Sequence, residues 1–230
     1  MSYKDVCVKK PWGHEYLCYQ NEVLAIWFLH IENGQQTSLH CHPNKHSGFV
    51  VLEGTAELSF LRGKMVLHGL DKVHIFRGRF HSTRSLSKGG SFILEIETPE
   101  NKTDLVRLED AYGRKGKSYE GKEFEFPKNE LSLWIGEPED AKASIICNGC
   151  TICHFRPSTK QDLIIYQDQD FFVVMRGGIE AYAKAQILWP GDVIDGVSLA
   201  RLADTFMLIE GTTLLHIRKL PNIELTEVPA

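Results

Sequence analysis

Short runs of β-branched and aromatic residues, separated by glycine, asparagine and aspartate, recur along most of this chain. Such closely spaced runs predict an antiparallel sandwich or barrel, because parallel strands would need long crossover connections between them. In the first half the predicted strands are Val23–Ile31, Ser47–Leu61, Lys64–Leu67, Val73–Phe76 and Ser91–Thr98. In the second half they are Ser144–Cys147, Cys150–Phe155, Asp162–Tyr166, Phe171–Met175, Gly178–Ala183, Ala185–Leu188 and Thr205–Arg218. We therefore expect an all-β chain.

The two halves contain similar stretches, which predict an internal duplication. Residues 49–57 read Phe-Val-Val-Leu-Glu-Gly-Thr-Ala-Glu, and residues 172–180 read Phe-Val-Val-Met-Arg-Gly-Gly-Ile-Glu. In both, an apolar strand reaches a glycine turn and a second strand places a glutamate in the same register. A coincidence of common hairpin patterns is the alternative. The predicted division is a first barrel with a wrapping tail at 1–120, a linker at 121–140 and a second barrel at 141–230.

Three histidines, His40, His42 and His46, lie within seven residues. His40 and His42 are two positions apart, so on a strand both side chains leave the same face. Two neutral imidazoles that point into one space form half of a site for a first-row metal. The alternative is that these histidines are polar loop residues.

The residues around these histidines resemble the first motif of the cupins. Five residues separate Gly34 from His40, and Gly54 stands where the motif ends. The second cupin motif is similar to residues 76–81, which read Phe-Arg-Gly-Arg-Phe-His. The resemblance implies a bicupin, with one jelly-roll barrel in each half. It also implies one divalent metal (Zn, Mn or Fe), held by the His-x-His pair and by His81.

One position departs from the cupin pattern. Ser47 stands where the family has its metal-binding glutamate, and a serine hydroxyl is a poor ligand. His46 immediately precedes it and is predicted as a fourth ligand. Without His46, a three-histidine face keeps open positions for water or substrate. The missing carboxylate leaves open a three-histidine Fe(II) dioxygenase, and also a non-enzymatic regulatory bicupin.

Two further stretches are similar to the cupin domain of type II mannose-6-phosphate isomerases. Lys10–Gly13 reads Lys-Pro-Trp-Gly, and residues 104–114 read Asp-Leu-Val-Arg-Leu-Glu-Asp-Ala-Tyr-Gly-Arg. The resemblance implies an enzyme that acts on a sugar phosphate or nucleotide-sugar precursor, by metal-assisted isomerisation between an aldose and a ketose. The second half of the chain lies outside this resemblance.

A phosphorylated substrate requires arginine or lysine donors. The candidate substrate residues are Arg77, Arg79 and Arg84. Arg107 and Arg114 are further candidates, but together with Glu109 they are expected to form salt bridges that pin the tail to the barrel. The same charged tail is predicted to contain one short helix, near Lys102–Asp110.

The second half contains three clustered cysteines but no His-x-His pair. Asn148-Gly149 lies between two β-prone runs and predicts a two-residue type I′ hairpin turn. Cys147 and Cys150 then face each other on one side of the hairpin and Cys153 lies on the other, which disfavours a thiolate metal site. This half is predicted to bind no metal. Its isolated histidines, predicted to be structural, are His154 and His216.

The net charge of -4 at pH 7 gives no general attraction to nucleic acid or to an anionic membrane. No apolar run approaches the roughly 20 residues of a membrane-spanning helix, and the first residues do not resemble a signal peptide. We therefore expect a cytoplasmic protein with six reduced cysteines. Its expected partner is a small molecule, such as a phosphorylated sugar, and a homodimer stays open.

Overall fold

The computed structural model describes residues 3–116, 120–137 and 144–221 of the chain, and these residues form mainly short strands. In the first half the strands are β1 (Val6–Lys10), β2 (Gly13–Gln20), β3 (Ala25–Ile31), β4 (Leu39–Cys41), β5 (His46–Glu53), β6 (Thr55–Phe60), β7 (Lys64–His68), β8 (Lys72–Ile75), β9 (His81–Ser85), β10 (Ser91–Thr98), β11 (Val106–Glu109) and β12 (Glu125–Pro127). In the second half they are β13 (Ile145–Cys147), β14 (Cys150–Phe155), β15 (Asp170–Arg176), β16 (Ile179–Glu180), β17 (Gln186–Leu188), β18 (Val193–Asp195), β19 (Met207–Leu208) and β20 (Thr213–Lys219). The helix α1 (Gly196–Thr205) lies between β18 and β19, and short 3-10 helices span Tyr3–Asp5, Lys122–Phe124 and Lys160–Leu163.

The strands form four sheets that stack as layers around three apolar cores. Sheet A, in the order β12-β1-β2-β3-β10-β5-β8, and sheet B, in the order β11-β4-β9-β6-β7, enclose the first core. Sheet C, in the order β13-β14-β20-β15-β18, packs one face on the outer face of sheet A. Its other face packs on α1 and on sheet D, in the order β17-β16-β19. The predicted all-β, bicupin fold class is confirmed.

The central strands of sheet A are apolar at almost every position because both faces of the sheet are buried. In β3, Trp27 and Leu29 face the first core, while Ile26 and Phe28 face sheet C. Neighbouring side chains on a strand point to opposite faces, so a strand between two cores needs an apolar residue at each position. The interface between the halves is therefore a continuous hydrophobic core.

The strand order supports the predicted duplication. The neighbours β2-β3-β10-β5-β8 in sheet A and β13-β14-β20-β15-β18 in sheet C follow the same pattern, and every pair is antiparallel. The glycine turns also correspond, since Gly54 joins β5 to β6 and Gly177 with Gly178 joins β15 to β16. Within the described residues, the second half has a 3-10 helix, Lys160–Leu163, where the first half has the histidine strand β4.

Two predicted elements are wrong. The predicted helix near Lys102–Asp110 is instead the strand β11. It pairs with β4, the strand that carries His40. The predicted strand Asp162–Tyr166 is instead the end of a 3-10 helix and a turn. A capping box between Thr159 and Asp162 satisfies the free backbone groups there and favours the helical turn.

The helix α1 is not among the predicted elements. Most of its residues precede the predicted strand Thr205–Arg218, and its last residue, Thr205, is the first residue of that strand. Asp195 caps it by accepting a hydrogen bond from the backbone N–H of Ser198 at 2.8 Å. Leu199 and Ala203, four residues apart, are its buried contacts with the third core. No helix in the described part of the chain is long and apolar enough to cross a membrane.

Part of the predicted linker packs against the first barrel. β12 pairs with β1 at the edge of sheet A, and Leu133 and Ile135 are buried in the core between sheets A and C. The division at 120 and 140 stays a prediction, and residues 1–2, 117–119, 138–143 and 222–230 lie outside the described residues.

A buried carboxylate organises one end of sheet C. Asp170 accepts hydrogen bonds from His216 Nε2 at 2.7 Å, from Arg218 and from the backbone N–H of Gln167 at 2.9 Å. Burial opposes its ionisation, but these donors together lower the pKa of Asp170 to about 2. The ionised carboxylate therefore stabilises the fold.

This arrangement predicts acid sensitivity. The pKa of Asp170 is lower in the folded chain than in the unfolded chain, so its ionised form stabilises the fold. This contribution is complete above about pH 4 and is lost as the pH falls through about 2. The contribution at neutral pH is on the order of 2 kcal/mol. Urea unfolding of the wild type and Asp170→Asn should therefore differ more at pH 7 than at pH 2.5. An equal difference at both pH values would contradict this assignment.

Candidate metal centre

The strands of sheet B bring three histidines into one cluster. His40 on β4 lies directly opposite His81 on β9, and His42 follows two residues after His40. The ring centroids are 4.5 Å apart for His40 and His81, 4.9 Å for His40 and His42, and 5.6 Å for His42 and His81. One ring nitrogen from each lies within 4.8 Å of those of the others. The structure therefore unites the two motifs that are 39 residues apart (81 minus 42) in the chain.

Each ring is oriented by a backbone carbonyl. The Nδ1 atoms of His40, His42 and His81 lie 2.7 Å from Ser38 O, 2.6 Å from Asp104 O and 3.0 Å from Arg79 O, respectively. Because a carbonyl oxygen can only accept, each Nδ1 carries the proton and each Nε2 has a free lone pair. His42 Nε2 and His81 Nε2 are buried and find no hydrogen-bond partner among the described residues. Donor atoms in this state fit a metal ion.

The environment keeps the imidazoles neutral. Burial lowers the pKa of His42 and of His81 to about 4, and burial together with the other two imidazoles lowers that of His40 well below its usual value. Neutral imidazole is the form that binds a metal. At pH 7 a metal would not compete with protons for these nitrogens.

A carboxylate reaches the cluster from a strand that the motif does not include. Ser47 donates a hydrogen bond from Oγ to Glu95 Oε1 at 3.2 Å, and the same oxygen lies 3.9 Å from His42 Nε2. β10 lies beside β5, and its Glu95 and Glu97 side chains face the inside of the first barrel. Glu95 therefore places a carboxylate beside His42, where Ser47 offers only a hydroxyl.

A second carboxylate lies next to the first. Lys45 is almost fully buried, and its Nζ donates a hydrogen bond to Glu97 Oε1 at 2.5 Å. Burial and the adjacent Glu97 raise the pKa of Glu95 to about 7. Burial also opposes ionisation of Glu97, but Lys102 and Lys45 outweigh it and lower the pKa of Glu97.

The tail fixes the histidine loop in place. The Asp104 carboxylate accepts hydrogen bonds from the backbone N–H groups of Asn44 and Lys45 at 2.8 and 3.0 Å, while its carbonyl holds His42. Arg107 and Arg114 were predicted to pin the tail to the barrel, but their ion pairs join residues within the tail: Arg107 pairs with Glu120, and Arg114 pairs with Asp110 at 2.7 Å. Glu109 is exposed.

His46 is a correction to the predicted ligand set, because the structure does not bring it to the other three histidines. On β5 it precedes the inward-facing Ser47, so its side chain leaves the opposite face of sheet A. There its ring packs on His74 at 5.0 Å, on the side of Asp192 in the second half.

The predicted substrate arginines also lie away from the cavity. Arg77 and Arg79 are exposed on the loop before β9, where Arg79 stacks on the ring of Phe60 at 4.0 Å. Arg84 is exposed and, three residues after His81, lies on the opposite face of β9. The basic residues that line the cavity with His40 and His42 are Lys10, Lys45, Lys102, Arg107 and Arg114.

The second half matches the prediction at its hairpin and its histidines. Asn148 and Gly149 have φ angles of 47° and 69°, as a type I′ turn requires, and Cys147 pairs with Cys150. His154 Nε2 lies 2.6 Å from the carbonyl of Gly136, and His216 binds Asp170. Both histidines therefore have structural partners.

Comparison with known proteins agrees with the first-half geometry. Residues 2–110 match the family model described as mannose-6-phosphate isomerase C-terminal. No curated protein matches the chain.

Three solved structures illustrate the similarity. The chain is 16% identical to KdgF from Halomonas sp., over 40% of this chain and 83% of that one, with a TM-score of 0.38. It is 18% identical to an uncharacterised conserved protein with a double-stranded β-helix domain from Klebsiella pneumoniae, over 42% and 84%, with a TM-score of 0.39. It is 12% identical to the Cnp3 cupin domain of Schizosaccharomyces pombe, over 38% and 61%, with a TM-score of 0.36. On its family match and its two histidine motifs, the first half of this chain is similar to the mannose-6-phosphate isomerase C-terminal family.

Proposed function

We propose that the first half binds one divalent metal and uses it to isomerise a phosphorylated sugar. His40, His42 and His81 would hold the metal through Nε2, and Glu95 would be the fourth ligand. The observation that carries this proposal is the common orientation of the rings, in which each Nδ1 donates to a carbonyl and each Nε2 is left to coordinate.

The residues around the cluster suit proton transfer between neighbouring sugar carbons. A bound divalent metal would polarise the carbonyl and the adjacent hydroxyl of the substrate. Glu97 is our candidate for the proton acceptor, because it lines the cavity and is kept ionised by lysines. Its Oε2 is buried and has no hydrogen-bond partner among the described residues.

The test combines metal analysis with an activity assay. The purified protein should contain close to one divalent metal per chain and should interconvert mannose 6-phosphate and fructose 6-phosphate. Bound metal without turnover of any hexose phosphate would reject the isomerase and leave the metal centre standing. Bound iron with oxygen consumption would favour a dioxygenase.

Glu95→Gln tests the fourth ligand. Replacing a carboxylate by a neutral amide should weaken metal binding by about tenfold or more, measured by competition with a chromophoric chelator. Glu109→Gln, an exposed change on β11, is the matched control and should leave the affinity unchanged. Equal affinities in wild type and Glu95→Gln would show that the three histidines bind the metal without this carboxylate.

A further inference from the structure

A carboxylate of the chain itself is held by three cations at the mouth of the metal cavity. Glu120 forms ion pairs with Lys10, with Arg114 at 2.5 Å and with Arg107 at 3.9 Å. The Glu120, Lys10 and Arg107 side chains are each no more than 5% exposed. A buried carboxylate with three cationic partners marks a place where the protein is built to hold an anion.

These three cations lie between the metal cavity and the solvent. Lys10, Arg107 and Arg114 line the cavity that contains His40 and His42. The same three residues also line an outer cleft, together with Glu120. An anion that entered from the cleft would therefore meet these cations immediately before the metal site.

The charges around the mouth favour binding of another anion when the Glu120 carboxylate moves away from its three cations. The mouth cluster consists of four cations and three carboxylates, namely Lys10, Lys102, Arg107, Arg114, Glu15, Asp110 and Glu120. Without Glu120 the formal charge of this cluster is four minus two, or +2. A dianionic phosphate group would neutralise that charge.

We propose that Lys10, Arg107 and Arg114 form the phosphate subsite of the substrate, and that the Glu120 carboxylate occupies it in the empty protein as an internal competitor. The assignment of this anion to a substrate rests on the proposed function. Arginine forks bind phosphate oxygens as well as they bind carboxylate oxygens, so exchange of the two anions keeps the same donors in use. Binding of a phosphorylated substrate would then release Glu120 from the mouth.

The test measures binding of inorganic phosphate to the metal-free protein by isothermal titration calorimetry. Glu120→Gln removes the competing charge and should bind phosphate at least tenfold more tightly than the wild type. Glu123→Gln removes an exposed charge that lines the same outer cleft, and should bind phosphate as the wild type does. The double variant Glu120→Gln with Arg114→Gln should lose this increase in phosphate affinity.

A second measurement does not depend on the variant's folding. In wild-type protein, saturating phosphate should speed hydrogen exchange of the backbone amides of residues 120–124, because Glu120 loses its partners. Unchanged exchange together with equal phosphate affinity in wild type and a folded Glu120→Gln would overturn the proposal. A gain in affinity that survives Arg114→Gln would overturn it as well.

The experiment separates this subsite from the metal centre. Phosphate binding is measured without metal. In a protein that also carries His40→Ala, Glu120→Gln should still increase the affinity for phosphate. Failure to bind metal would therefore reject the proposed function while leaving the subsite measurable. Failure of phosphate to bind would reject the subsite and leave the metal analysis intact.

Discussion

We expect His81→Ala to abolish metal binding at the proposed centre, and with it the proposed metal-dependent turnover. The ring contributes a buried Nε2 with no partner among the described residues, and alanine supplies no donor in its place. Metal content per chain should fall close to zero by elemental analysis. The stabilisation that excess metal gives the wild type, about 2.7 kcal/mol at a hundredfold excess over Kd, should disappear in the variant's thermal unfolding.

His46→Ala is the decisive control for this result. It removes an imidazole from the same sequence motif, but from the opposite face of sheet A, where the ring packs on His74. Metal content should therefore stay at the wild-type level. Metal loss in His46→Ala with retention in His81→Ala would reverse the ligand assignment.

Lys45→Met should destabilise the fold by up to about 3–5 kcal/mol, because it removes the ion-pair partner of Glu97 and leaves Lys102 alone to offset that buried charge beside Glu95. Lys45 and Glu97 are each at most 4% exposed at their side chains. The free energy of unfolding should be measured by urea titration in the presence of a chelator, so that loss of metal does not contribute. Lys45→Met combined with Glu97→Leu should recover much of the loss.

The surface pair of Lys64 and Glu57 provides the comparison. Its N–O distance is 2.6 Å, close to the 2.5 Å of the buried pair, but Lys64 is 66% exposed. Lys64→Met should therefore cost less than about 1 kcal/mol. Similar losses in Lys45→Met and Lys64→Met would show that burial does not set the contribution of the inner pair.

The histidine cluster could be predicted because it depends only on the alternation of side chains along one strand and on the spacing of two sequence motifs. Two positions on a strand place His40 and His42 on one face, and the motif spacing identified His81. The same alternation argues against His46, since it is adjacent to the inward-facing Ser47 and its side chain therefore leaves the other face. Proximity of His46 to the motif in sequence therefore does not bring its side chain to the metal site.

Glu95 could not be predicted from the motif, because its place depends on the pairing of β10 with β5. A signal was nevertheless present. Glu95 and Glu97 alternate with Leu94 and Ile96 in a strand that is otherwise buried, and carboxylates at buried positions need a partner or a metal. The strand Ser91–Thr98 was predicted with the correct bounds.

The mouth cluster was beyond sequence reasoning for a different reason. Lys10 and Glu120 are 110 positions apart, and no sequence pattern predicts that Glu120 pairs with Lys10, Arg107 and Arg114. Arg77, Arg79 and Arg84 are candidates by residue type alone, but the loop before β9 and the outer face of that strand turn them to solvent. Proximity along a strand does not predict proximity to a cavity, because alternate residues face opposite ways.

β10 couples the metal centre to the far half of the protein. Its Glu95 and Glu97 face the metal cavity, while Leu94 and Ile96 pack in the core shared with sheet C. Protein interiors transmit strain because they are close-packed. Because Ile217 in sheet C belongs to the same core as Leu94 and Ile96, we expect Ile217→Ala to change metal affinity at the proposed centre, so that the second half also influences the site.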